Sequence, residues 1–115
     1  MTRSPITTHV LDTTRGLPAS GLPITLEYQE PPGFVELARG VTDDDGRITN
    51  LLAPDHQLAP GRYRMTFDTS AYFRAIGTEG FYPVVQVVFD LKGPGAHHHI
   101  PLLLSPYGYS TYRGS

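Results

Sequence analysis

Glycine and proline interrupt this chain too often for any long element to form. It holds 12 Gly and 11 Pro in 115 residues, spread along its length and not gathered in a linker. Gly weakens helix and strand interiors and Pro removes a backbone donor, so the stretch between two breakers suits one short element. Short runs rich in β-branched and aromatic residues between such breakers read as strands. Residues 6–13, 22–29, 34–41, 47–52, 61–68, 82–90, 97–104 and 107–113 fit that description, and 15–21 reads as a loop. Asp45-Gly46 is a hairpin dipeptide, because Gly takes a positive φ at no steric cost, and 47–52 is expected to continue that hairpin. Residues 69–76 are the helix candidate. Asp68, Thr69 or Ser70 caps it, Tyr72, Phe73 and Ile76 give it an apolar side, and Gly77 ends it. Eight or so short strands and one short helix indicate an all-β sandwich.

The length supports a single domain over residues 1–115, and a chain of this size buries roughly two-thirds of its unfolded surface. With no cysteine, neither a disulfide framework nor a thiolate metal site is open to it. Nine basic and eleven acidic side chains give a formal net charge of −2, and the arginines are scattered from Arg3 to Arg113. No basic stretch is dense enough to track phosphates, so no nucleic-acid partner is expected. No apolar run reaches the roughly 20 residues of a membrane helix, so no membrane partner is expected either. The first residues lack the apolar core of a signal peptide, and Tyr112-Arg113-Gly114-Ser115 is no sorting signal. The expected location is cytoplasmic.

Histidine is the residue type that points to chemistry. Of five, His97, His98 and His99 are consecutive at the start of a strand. Period-two alternation splits them. His98 is in phase with Ile100, Leu102 and Leu104, the set expected in the core. His97 and His99 are in phase with Pro101 and Leu103, on the opposite face. The same reasoning sets His9 and Leu11 opposite Ile6 and Val10. The outward face thus mixes His9, Leu11, His99, Pro101, Ser110 and Tyr112, which suits an interface or a pocket lining better than a solvated surface. Three readings stand side by side: ordinary surface histidines, a metal site, or an interface or pocket lining. His97 and His99 lie i, i+2 with His9 as a possible third ligand, but no carboxylate sits at a supporting spacing, so no metal is expected. Asp43-Asp44-Asp45-Gly46 lacks the alternating carboxylates of a calcium loop and reads as a solvated turn. Arg47 is either a plain exposed arginine or a clamp for a planar anion, since its fork donates two parallel hydrogen bonds.

Four segments carry a resemblance: His9 through Ala19, Asp45-Gly46-Arg47, His97 through Tyr107, and the closing Ser110 through Ser115. Over essentially the whole chain they resemble the 5-hydroxyisourate hydrolases, the transthyretin-like enzymes of purine catabolism. The closing Tyr112-Arg113-Gly114-Ser115 separates the enzymes of that family from its hormone carriers. One departure is visible: the family usually has His-Tyr-His where this chain has His97-His98-His99.

The resemblance implies a transthyretin-like sandwich of seven to eight strands. It also implies a homotetramer with active sites at the dimer–dimer interface, and no cofactor. It implies hydrolysis of 5-hydroxyisourate to 2-oxo-4-hydroxy-4-carboxy-5-ureidoimidazoline in urate degradation. Carried over residue by residue, His9, Arg47, His99 and Ser115 are the implied catalytic residues. His9, Arg47, Ser110, Tyr112 and Arg113 are the implied substrate-binding ones. Such hydrolysis needs a group that takes a proton near neutral pH, which suits His, and donors for the developing oxyanion, which suits Arg. The alternative is a transthyretin-like carrier of a small ligand, which needs none of these groups.

Overall fold

The computed structural model describes residues 4–114 and is a sandwich of two sheets. The strands are β1 (Ile6–Asp12), β2 (Leu17–Pro18), β3 (Pro23–Glu30), β4 (Gly33–Val41), β5 (Arg47–Ile48), β6 (Gly61–Phe67), β7 (Val85–Leu91), β8 (His98–Ser105) and β9 (Gly108–Thr111). The helix α1 (Thr69–Ala75) lies between β6 and β7. One sheet runs β2-β1-β8-β9, with β5 also on β1. The other runs β4-β3-β6-β7. Among the described residues, no helix is long and apolar enough to cross a membrane.

The core follows from alternation. Tyr63, Met65 and Phe67 of β6 are buried and face Ile24 and Leu26 of β3, with Ile6, Val10, Leu102 and Leu104 supplied by the opposite sheet. The helix is capped by Asp68, whose carboxylate accepts the Ala71 N–H at 3.0 Å, and Gly77 takes a φ of 70° just beyond it. Tyr72 of the helix donates its hydroxyl to the buried Asp12 carboxylate at 2.7 Å, and the other oxygen of Asp12 accepts the Arg15 N–H. Burying a carboxylate is costly unless it is hydrogen-bonded. These two bonds meet that need and tie the helix to the end of β1.

Two expectations need correction. Residues 47–52 do not continue a hairpin with β4: the strand is only Arg47–Ile48, and it pairs antiparallel with β1. The Asp43 carboxylate accepts the N–H groups of both Asp45 and Arg47 at 2.9 Å, and the Asp43 N–H donates to the Arg47 carbonyl. The turn therefore closes on itself, and the chain passes to the other sheet, where Ile48 enters the core. The expected loop 15–21 contains the short strand Leu17–Pro18, held against Leu11 and Asp12. The remaining strands appear with ends displaced by a few residues, the usual scatter of element boundaries.

Candidate active site

β1 is the spine of the site. It runs parallel to β8, with His9 opposite Pro101 and Thr7 opposite His99, and on its other edge His9 faces Arg47 of β5. Thr8 and Ile48 point into the core, so their neighbours His9 and Arg47 share the outer face. Gly46 makes the approach of β5 possible. Its carbonyl accepts the Val10 N–H at 2.8 Å, it has a φ of 75°, and a Cβ on it would strike the Val10 carbonyl oxygen.

β8 and β9 complete the face. Leu103 pairs with Ser110 and Leu102 with Thr111, and an isolated bridge joins His99 to Gly114. The Gly114 N–H donates to the His99 carbonyl at 2.9 Å. A Cβ at Gly114 would lie 2.7 Å from His99 Cδ2, so only glycine lets the tail lie against the imidazole. Continued past Thr111, the register sets the exposed Tyr112 opposite Pro101. Arg47, His9, Pro101 and Tyr112 thus form one row across the sheet, and Thr7, His99 and Gly114 form the next.

Arg47, His9, His99, Tyr112 and Gly114 are therefore brought together. Ser110 is on the same face beside Leu103, one row beyond His9, or about 7 Å along the strands. Arg113 is turned the other way. With His98, and with Tyr112 at its rim, it lines a cleft of about 560 Å³ between the sheets, floored by Val87, Phe89 and Ile100. Ser115 lies outside the described residues. Among those described, no group of three His, Cys, Asp or Glu side chains is arranged to hold a metal ion.

The electrostatics separate the histidines. His9 titrates below its ordinary value, first because it is partly buried and then because Arg47 is close. A backbone hydrogen bond at Asp45 and the carboxylates of Asp43 and Asp45 oppose these effects without overcoming them. His9 is thus held neutral at pH 7, as a base or a hydrogen-bonding group must be. His98, on the inner side as alternation predicts, is also lowered, by burial and then by Arg113. Thr7 escaped the sequence reading. Its hydroxyl lies 2.8 Å from His99 Nδ1 and 2.9 Å from His97 Nε2. The signal was present, since Thr7 is two residues before His9 and in phase with it.

The face thus offers a neutral imidazole, a second anchored imidazole and a guanidinium within two adjacent rows. That set can activate water and hold a planar, oxygen-rich ligand. Known proteins carry the same arrangement of chain. The chain is 50% identical over 114 residues to a mouse (Mus musculus) protein named 5-hydroxyisourate hydrolase, covering 97% of this chain and 96% of that protein. Its structure matches that of Klebsiella pneumoniae 5-hydroxyisourate hydrolase with a TM-score of 0.83 at 36% identity, covering 100% of both chains. It also matches sea bream transthyretin in complex with thyroxine, with a TM-score of 0.88 at 35% identity, covering 96% of this chain and 95% of that one. The sequence profile of the HIUase/Transthyretin family matches residues 6–114, and the chain belongs to that family.

Proposed function

We infer that this chain hydrolyses 5-hydroxyisourate to 2-oxo-4-hydroxy-4-carboxy-5-ureidoimidazoline, a step of urate degradation. A similar fold also serves a thyroxine complex, so the fold does not choose between enzyme and carrier. The observation that carries the reading is the register that sets His9 beside Arg47 and His99 one row away. Near-neutral hydrolysis needs those groups, and a carrier does not.

His99 takes the proton from water as it attacks the ring carbonyl. Collapse of the tetrahedral adduct breaks the ring C–N bond. The protonated His99 returns that proton to the departing ring nitrogen, which stays tethered in the opened product. His9, neutral, orients the water and the substrate. Arg47 holds the anionic heterocycle and stabilises the charge developing on the attacked oxygen. Tyr112 and Ser110 border the bound ring, and Ser115 positions the water. Arg113 reaches the substrate only if the tail turns over, since its present place is beside His98. A single sheet face cannot enclose a ligand, and this one mixes Leu11, Pro101 and Leu103 with its titratable groups. We therefore assign the working form to a homotetramer, with active sites where such faces meet between dimers. We assign its location to the cytosol.

The test generates 5-hydroxyisourate with urate oxidase and follows its ultraviolet decay. The protein is expected to accelerate that decay, and His99→Ala to lower turnover by about 10²–10⁴-fold, the usual worth of a general base, with the oligomer size unchanged. No acceleration over spontaneous decay would favour the carrier, and near-wild-type turnover of His99→Ala would remove His99 from its role.

A further inference from the structure

Thr7 lies between two imidazoles. It sits opposite His99 in the β1–β8 register and is 3% exposed. Its hydroxyl is 2.8 Å from His99 Nδ1 and 2.9 Å from His97 Nε2, and the two rings are stacked with centroids 6.4 Å apart. A hydroxyl carries one proton but can accept on its lone pairs. When it bridges two ring nitrogens by donating to one, the other ring must donate to it. The proton positions of His97 and His99 are then linked.

We propose that Thr7 is a positioning residue that ties the tautomer of His99 to that of His97. The proposal rests on the hydrolase reading, in which His99 is the base. With His97 Nε2 unprotonated, Thr7 donates to it and accepts from His99 Nδ1–H. His99 then carries its lone pair on Nε2, the nitrogen that takes the proton from water. With His97 protonated at Nε2, Thr7 accepts from that ring and turns its own proton toward His99 Nδ1. Neutral His99 then carries its proton on Nε2 and cannot act as base. His97 also lines a cavity of about 500 Å³ with Ser4, His56 and Gln57, so its proton is set at a different opening from the substrate face. The β-branched Thr is stiff at χ1, which holds the hydroxyl between the rings.

Thr7→Val keeps the shape and removes the hydroxyl. It is expected to lower kcat by about 10–100-fold, the usual cost of losing a group that orients an active imidazole, with KM nearly unchanged. Thr7→Ser is expected to restore most of the loss. The second readout is the ¹⁵N spectrum of His99, which distinguishes Nδ1–H from Nε2–H. It should show Nδ1–H in the native protein at neutral pH and a shift toward Nε2–H in Thr7→Val. Native kcat in Thr7→Val, or lost kcat with an unchanged His99 tautomer, would overturn the proposal. If Thr7→Val fails to fold, His97→Phe tests the far end of the bridge, and native kcat with a native tautomer there would overturn it equally. The spectrum needs no substrate. A protein that leaves 5-hydroxyisourate untouched yet shows the tautomer shift would sink the hydrolase reading and leave the bridge standing.

Discussion

The two sheets turn contrasting outer faces to their surroundings. On the four-stranded sheet every exposed guanidinium of β4 and β6 has a carboxylate. Arg64 bonds Glu27 at 2.8 Å, Arg62 bonds Asp90 at 2.8 Å, and Arg39 bonds Glu36 at 2.6 Å. Arg64 also stacks 4.1 Å over the Phe34 ring. Each of these carboxyls titrates below its ordinary range because its arginine hydrogen-bonds it. Among the described residues, these arginine–carboxylate pairs all lie on that sheet. The outer face of the β1–β8 sheet carries Arg47, His9 and His99 amid Thr7, Pro101 and Leu11. There Thr7 hydrogen-bonds both His97 and His99, and His9 faces Arg47 across the β1–β5 register. A face whose charges are already neutralised has little left to offer a ligand. A face that gathers a guanidinium and several imidazoles in adjacent rows concentrates titratable groups, as functional sites do.

The contrast breaks most sharply at Gly46, which sets the approach of β5 and hence of Arg47. Gly46→Ala forces an L side chain to a φ of 75° and drives its Cβ into the Val10 carbonyl. A non-glycine residue in the left-handed region costs of order 1–3 kcal/mol, and the clash adds to it, so a loss of about 3 kcal/mol is expected. Because Arg47 is the next residue, hydrolysis should fall together with the urea midpoint. A native midpoint in Gly46→Ala would mean that β5 does not depend on this turn.

The opposite face should respond far less. Glu27→Gln removes the carboxylate that Arg64 and Thr66 hydrogen-bond. The pair is partly exposed and screened, so a loss of about 1 kcal/mol or less is expected at pH 7, with hydrolysis unchanged. The folded chain lowers the titration point of Glu27, so its stabilisation is present above the ordinary value near 4.5 and fades as pH falls through the folded value. Urea titrations at pH 7 and in mild acid should therefore converge for native and variant protein as pH drops. A fall in turnover would show that the ion-paired face is coupled to the site.

What the sequence revealed of all this depended on whether the information was periodic. Alternation alone sorted His9 and His99 outward and His98 inward, because a strand has only two faces and the burial of Ile6, Val10, Ile100 and Leu102 decides between them. It did not reveal that Arg47 crosses to β1, since Asp45-Gly46 signals a turn but says nothing about which strand receives the chain. Thr7 was legible in phase and not in role, because a hydroxyl between two rings is a matter of distance. At Arg113 two signals differ. The resemblance carried the tail over as one unit, while the same alternation, applied from Ser110 onward, turns Arg113 toward the inter-sheet cleft.

His98 gives the smallest effect and the finest test, because it belongs to neither outer face. It follows His97 and precedes His99, yet it lies in the cleft with Ile100 and Phe89. Burial and Arg113 lower its titration point, so the folded chain resists protonation there while the unfolded chain titrates near 6.5. The unfolded state then binds more protons as pH falls, and the folded state loses stability from about pH 6.5 down through the folded value, with no such cost above it. His9 contributes a second loss of the same sign. His98→Phe removes one of the two and adds apolar surface to an apolar floor. Its urea midpoint should match or slightly exceed that of the native protein at pH 7.5 and fall less steeply toward pH 5, with hydrolysis unchanged at neutral pH. An equally steep fall would assign the acid sensitivity to His9 and the outer face. A large loss of hydrolysis would mean that three adjacent histidines act together, and that strand alternation does not separate their roles.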